Sequence, residues 1–496
     1  MSTAHRFPLG TTGWSVWRDA ILRGTGFPAG GLTELAAPGA AAAADNLLRT
    51  GRSAELFEKQ FAEAVRHGAR RITELAGEPL FREAVTWQNP NMLATLDHLV
   101  REGAEVPRTS RRAQRERAVL RYWQRYCGKN ETVGFYGPIC WVRLDPTQPA
   151  AVVASPGPGL TRRRWVVLES WALQAYGTVL ARDLAVRRWW PPVRWPHLRL
   201  AGHQVLRPGR PPLPLTPVEA ALLAGCDGRR PAAEVVADPA AGVRRPEDGY
   251  LLLDRLVERG VITWDAALPV NPTAEQVLRE RIAAIGDPTA QAGARAGLER
   301  LCAARDAVAA ATGDPDRLRV ALSTMDEVFT GLTGQPPRHR DGQMYAGRTL
   351  CYLDSSRDLE VVFGAPLLEE ISAPLGVLLQ AARWLSTALR EAYTAALRQL
   401  YDELLADAQP VALADLWLLA QAAFWGSGPR PVDAVAVEFA RRWAGLFGLD
   451  PVAQWHPGPG MPSREVRRRD GGAPAEVRLR VAEIADRVAE VFPAGG

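Results

Sequence analysis

Apolar residues recur at helical spacing along much of the chain. SAELFEKQFAEAVRHGARRITEL, from Ser53, intersperses acids and bases around an apolar stripe and predicts a helix over 53–75; comparable stripes predict helices over 92–101 and 110–127. Short runs such as CWVRLD and TRRRWVVLESW predict strands between helices, and DPTQPAAVVASPGPG reads as a loop. RPGRPPLP reads as a stiff linker. In LTPVEAALLAG, Thr216 stands at the N-cap, Pro217 at the first helical position and Glu219 at the third, the pattern of a capping box. With helical AAEVVAD and EDGYLLLDRLVERG and a β-rich VITWD, this outlines a winged helix-turn-helix whose wing carries Val261 and Ile262.

Residues 272–410 are largely helical in pattern, interrupted near QMYAGRTLCYLDSSRDLEVVFG. There a β-like TLCYL delivers Asp354 into a polar turn, with Arg348 before it and Arg357 and Asp358 after it. Such a group can be a surface salt-bridge knot or the lining of a cleft. Near the C-terminus, Val477, Val481, Ile484, Val488 and Val491 form one apolar helical seam, too short for a free coiled coil and so expected to dock on the body or on a partner. The expected fold class is α+β, mostly helical with small sheets, in segments 1–206, 207–268, 269–460 and 461–496.

Composition narrows the function classes. With 496 residues, 47% of them hydrophobic and 23% charged, the chain can bury a large core over two to four domains. MSTAHRFPLG has no apolar export core, and the longest apolar runs are broken by charge before they could span a bilayer, so a cytoplasmic location without a membrane partner is expected. Five cysteines, never in CxxC, read as buried thiols, and seven histidines without an HExxH pair give no support for a metal. GxxxxGK[ST], GxGxxG after a strand and GxSxG are all missing, which removes the usual nucleotide and hydrolase signatures.

The net charge of +5 is unevenly placed. Between Arg108 and Lys129 eight cations face one acid, Glu116, a local charge of 8 − 1 = +7. Arg117, Arg121, Arg125 and Lys129 follow at i, i+4 spacing and form one helical ridge, joined by Arg112 and Arg115, suited to a polyanion. Lys129 is one of two lysines among 60 basic residues, where arginine is the default, so its compact, titratable ammonium is a candidate for chemistry. The winged helix has the opposite balance: residues 214–265 hold six arginines and nine acids, 6 − 9 = −3. That sign disfavours duplex DNA and favours a peptide added as a strand to a sheet edge.

EAVTWQNPNML, RYWQRYCGKNETVGFYGPICWVRLD, the embedded winged helix, YLDSSRDLEVVFG and AARWL, in that order over most of 50–410, resemble the N-terminal, tRNA-dependent glutamylation part of class I lanthipeptide (lantibiotic) dehydratases. They also resemble the related peptide aminoacyl-tRNA ligases. Where the dehydratases carry Arg, three residues, Arg and a Thr-Pro-Phe-Gly turn, this chain has Arg125, Lys129, then Glu131 and Thr132 and the closing Gly134. The chain is shorter than these relatives, and so either an N-terminal portion or a reduced member.

The resemblance implies an aminoacyl-tRNA cosubstrate, no bound cofactor, and a ribosomally made precursor peptide held by its leader in the winged helix. Glutamylation of Ser or Thr before elimination is the implied reaction. Peptide C-terminal extension with ATP, or a non-catalytic peptide- or tRNA-binding subunit, are the alternatives. Segments 1–206 and 269–460 would then form the acyl-transfer body. Arg125 and Lys129 would stabilise the oxyanion, and Asp354 would accept the hydroxyl proton or orient the donor's α-ammonium. Asn130, Glu131, Thr132, Arg348 and Asp358 would contact substrate. Arg112, Arg115, Arg117 and Arg121 would meet tRNA, and Val261 and Ile262 the peptide. A partner subunit carrying elimination chemistry, or a second copy of the chain, completes the expected partners.

Overall fold

The computed structural model describes residues 5–129, 139–338, 349–407, 410–448 and 479–493. Asn130, Glu131, Thr132, Gly134, Arg348 and Val477 lie outside the described residues. A hairpin of β1 (Arg6–Pro8) and β2 (Ser15–Trp17) leads into β3 (Asp19–Arg23) and then into α1 (Pro38–Thr50), α2 (Ala54–Gly77), α3 (Pro79–Gln88), α4 (Leu93–Glu102) and α5 (Ser110–Gly128). Strands β4 (Ile139–Leu144) and β5 (Val152–Leu168) follow, then α6 (Ser170–Leu180), α7 (Leu184–Arg187) and the short β6 (Val193–Arg194). Prolines and glycines in DPTQPAAVVASPGPG suggest a loop, yet β5 is a 17-residue strand. It lies at a sheet edge, and its pairing with β11 is interrupted by a bulge between Pro156 and Thr161, a place that tolerates proline and glycine.

The next unit holds β7 (Arg199–Ala201), β8 (Gln204–Arg207), β9 (Arg210–Pro214), α8 (Pro217–Gly225), α9 (Ala232–Ala237), α10 (Pro246–Glu258) and β10 (Ile262–Thr263). The capping box forms as the sequence predicts, with the Thr216 hydroxyl accepting from Glu219 N–H and the Glu219 carboxylate from Thr216 N–H at 2.8 Å. RPGRPPLP is a β-hairpin here, β8 against β9, with Pro-rich β9 at the edge of the three-stranded sheet β7-β8-β9. Its core runs from Leu198 and Val205 to Leu256 and Trp264. VITWD does not make a wing hairpin, because β10 is two residues long and pairs with β6.

Helices α11 (Ala274–Ala283), α12 (Pro288–Ala310) and α13 (Pro315–Thr333) return to the body, followed by β11 (Cys351–Phe363), the long α14 (Ala365–Asp407), α15 (Leu413–Trp425), α16 (Pro431–Phe447) and α17 (Val481–Val491). The main core joins α2–α6 to α11–α13 and the start of β11, with Phe81, Tyr126, Trp190 and Phe329 fully buried. The seam of α17 docks on the chain's own body, where Ile484, Val488 and Phe492 pack with Ala381 and Leu446. All five cysteines are buried free thiols, and burial pushes Cys226 and Cys351 up to about 12. Among the described residues no helix is long and apolar enough to cross a membrane.

Candidate active site

Helix α5 is rotated by its aromatic face. Trp123 donates its indole N–H to the Gly31 carbonyl at 2.8 Å, and the Tyr126 hydroxyl shares its one proton between Ala84 O at 3.0 Å and Gln88 Oε1 at 2.9 Å. Phe27 packs on both rings, at 5.2 Å and 5.8 Å between centroids. This anchoring leaves Arg117, Arg121 and Lys129 exposed and Arg125 half-buried. Lys129 caps the helix, its N–H bonded to Arg125 O at 3.0 Å, where a cation also complements the negative end of the helix dipole.

Arg112 does not join the ridge. It is 2% exposed and clamped by Glu116 at 2.9 Å, with Glu102 at 3.6 Å, so its guanidinium is spent inside the protein. Arg115 is half-buried beside the same Glu102 at 3.6 Å.

The mixed sheet has the order β3-β4-β11-β5, in which β4 and β11 run parallel and the other pairs are antiparallel. Ile139, the first residue of β4, stands in register with Ser356. Residues 351–355 of β11 therefore project past the start of β4. Asp354 sits in this projection, in a strand and not in a polar turn. Odd-numbered Cys351, Leu353 and Ser355 are buried, while Tyr352, Asp354 and Ser356 on the other face are half-exposed.

Asp354 lies opposite Trp165 of β5, and Ser356 opposite Arg163, whose guanidinium covers the Trp165 ring at 5.6 Å from its centroid. One Asp354 oxygen accepts the Ser355 N–H at 2.9 Å. Asp358 is committed elsewhere: it accepts from Arg162 at 3.2 Å and from the Gly159 N–H at 3.1 Å. A Cβ at Gly157 would come within 2.1 Å of Asp358, so glycine is needed for this close approach. Geometry thus separates the two acids, one in a built structural bridge and the other on the open face.

Arg357 points inward, where burial pushes its pKa down, and donates to Thr25 O at 3.3 Å. Thr25 Oγ1 in turn donates to Phe27 O at 2.6 Å, and the Phe27 N–H to Tyr126 O at 3.2 Å. The loop at 25–27 so couples the middle of β11 to the last turn of α5, which carries Arg125. Arg357 is visible in the sequence only as one charge in a polar run, and the loop carries no motif. Val261 and Ile262 are 0% and 1% exposed, inside the core of the three-helix unit, so their side chains are not available to a peptide.

This arrangement shares its fold with solved glutamylation structures. The glutamylation domain TbtB from thiomuracin biosynthesis superposes with TM-score 0.54 at 16% identity, covering 86% of this chain and 62% of that one. The same domain bound to 5'-phosphodesmethylglutamycin gives TM-score 0.54 and 18% identity, covering 95% of this chain and 62% of that one. The tRNA-dependent lantibiotic dehydratase MibB from Microbispora sp. 107891 gives TM-score 0.48 and 17% identity, with 62% of this chain and 30% of that chain covered. The chain thus spans less than two thirds of the length of each. No curated protein matches it. The family described as "Lantibiotic dehydratase, N terminus" matches residues 77–418, from the end of α2 into α15, and the chain belongs to that family.

Proposed function

We propose that the protein is an aminoacyl-tRNA-dependent transferase that glutamylates Ser or Thr side chains of a ribosomally made precursor peptide in the cytoplasm. The observation that supports this reading is the parallel rung between Ile139 and Ser356, which leaves the Asp354 face of β11 beyond the start of β4, in a chain of this family. In the transfer, a peptide hydroxyl oxygen attacks the carbonyl carbon of the aminoacyl ester. The new ester bond forms, the bond to the tRNA ribose oxygen breaks, and the hydroxyl proton passes through Asp354 to the departing ribose hydroxyl. Arg125 and Lys129 face the developing oxyanion as preset charges. Exposed Arg117 and Arg121 track tRNA phosphates.

The test is to incubate the full chain with a candidate precursor peptide and glutamyl-tRNA, with and without ATP, and weigh the peptide. Glutamyl adducts on Ser or Thr without ATP support the reading. An adduct at the peptide C-terminus that needs ATP replaces it with ligation, and an unmodified peptide that is nevertheless bound leaves a binding subunit.

A further inference from the structure

Alternate residues of the mixed sheet face away from its small core of Cys140, Val142 and Val361. On that outer face Ile21 of β3 stands opposite Trp141 of β4, and both are exposed, at 58% and 66%. Two residues before Trp141, half-buried Ile139 pairs with Ser356. Two residues before Ser356, Asp354 pairs with Trp165 of β5, itself 42% exposed. Asp354 thus shares one face with four apolar residues spread over β3, β4 and β5. Arg163 stands over the Trp165 ring at 5.6 Å, and the indole stays exposed despite that cover. Large apolar side chains left in water as a group mark a contact surface.

Charge separates this face from the ridge of α5. Arg23, Arg143 and Arg163 share it with Asp19, Asp354 and Glu360, so its balance is 3 − 3 = 0, and Arg143 stands directly opposite Asp19. A phosphate backbone gains nothing from a neutral surface. An apolar stretch of peptide, by contrast, loses its hydration against the indoles without stranding a charge. Spacing adds a length. Trp165 is one strand from Asp354, about 5 Å, and Trp141 lies one strand to the other side and further along, roughly 14 Å away, the reach of about four extended residues.

We propose that this face is the platform on which the acceptor segment of the peptide lies, and that it selects large apolar residues at two places. One is next to the hydroxyl residue and sits on Trp165. The other is about four residues away on the opposite side and sits on Trp141 and Ile21, the reach set by the strand spacing. Trp165 and Trp141 then decide which Ser or Thr is brought to Asp354. The inference rests on the transferase reading only for what happens at Asp354, because apolar recognition by the face needs no transfer.

Fluorine NMR of the full chain labelled with 5-fluorotryptophan tests this, with Trp165→Phe and Trp141→Phe identifying the two resonances. The probes are the end-blocked octapeptide Ala-Phe-Ser-Ala-Ala-Ala-Phe-Ala, its counterpart with Ala for both Phe, and the RNA tetranucleotide ACCA. The Phe peptide should shift both resonances saturably, the Ala peptide should bind about 5-fold more weakly or less, and Trp165→Ala with an unchanged thermal midpoint should cost a similar factor. The inference is overturned if only other tryptophans respond, if the two peptides bind alike, or if ACCA moves these two resonances and the Phe peptide does not. Glutamyl transfer to a candidate precursor, followed by mass, reports on the reaction separately. An adduct formed with neither tryptophan responding removes the platform and keeps the transferase; a saturable response without an adduct keeps the platform and removes the transferase.

Discussion

Ser356 and Ile139 share a parallel rung although more than two hundred residues separate them, and this single register leaves Asp354 beyond the start of β4, at the end of the sheet. If Arg125, Lys129 and Asp354 act on one carbonyl, Lys129→Ala and Arg125→Ala should each slow acyl transfer by about 10²- to 10³-fold, with peptide and tRNA affinity little changed. Lys129→Arg restores charge but replaces a compact ammonium by a planar fork. Single-turnover transfer should remain impaired in that variant and in Asp354→Asn, at the same step. A wild-type rate for Lys129→Arg would show that charge alone matters, and a wild-type rate for Lys129→Ala would remove residue 129 from the chemistry.

The two kinds of arginine on α5 should behave differently. Arg117 and Arg121 are exposed, so reversing both charges should weaken tRNA binding without lowering the thermal midpoint. Its salt dependence should flatten too, by roughly 0.7 to 0.9 in the log-log slope for each phosphate that is no longer neutralised. Arg112 and Glu116 are both 2% exposed and paired at 2.9 Å. Removing one partner strands the other charge in the core, so Arg112→Ala should destabilise the fold by about 3–5 kcal/mol in a denaturant titration. A salt slope that stays unchanged in the double reversal would detach the ridge from tRNA.

What the sequence made legible was local. Thr216, Pro217 and Glu219 specify a helix start within four residues, and it is there. The i, i+4 ridge of α5 is equally local, but Arg112 is drawn inward by Glu102, on another helix, which no spacing rule on α5 reveals. Pro156, Gly157, Pro158 and Gly159 read as loop because proline and glycine usually break strands; here they sit on an edge strand, and Gly157 makes room for Asp358. Asp354 looked like a turn residue because DSSRD is polar throughout. Only the pairing to β5 shows alternate residues taking opposite faces.

The edge that would take a leader peptide also follows from proline. β9 carries Pro211, Pro212 and Pro214 and offers few N–H groups, so in the sheet β7-β8-β9 the other edge, β7, is the one able to accept an added strand. Leu200→Pro should lower leader affinity about 5-fold, the equivalent of one hydrogen bond of about 1 kcal/mol. Fluorescence anisotropy with labelled leader measures it, and the thermal midpoint checks that the module still folds. Because Leu198 and Val205 belong to the module's core, a fragment starting at 207 should fail to fold where one that includes 198 succeeds. Duplex DNA bound more tightly than leader would overturn the peptide assignment.

The docking of α17 should show both in packing and in acid. Phe492 is fully buried against Trp384, Phe439 and Trp443, so Phe492→Ala should cost about 3–5 kcal/mol. Arg442 reaches across from α16 to the Val491 carbonyl and is held by Glu438 at 2.7 Å. Hydrogen bonds from Arg441 and then Arg442 lower the Glu438 pKa from 4.5 to about 2. A depressed folded-state pKa means that the stabilisation is complete above the unfolded value of 4.5 and fades as pH falls toward about 2. Glu438→Gln should therefore lower the thermal midpoint at pH 7, and its gap from wild type should narrow between pH 4.5 and pH 2. A gap that stays constant through that window would mean that the Arg441 and Arg442 contacts do not stabilise the ionised carboxylate, and that α17 is held by its aromatic contacts alone.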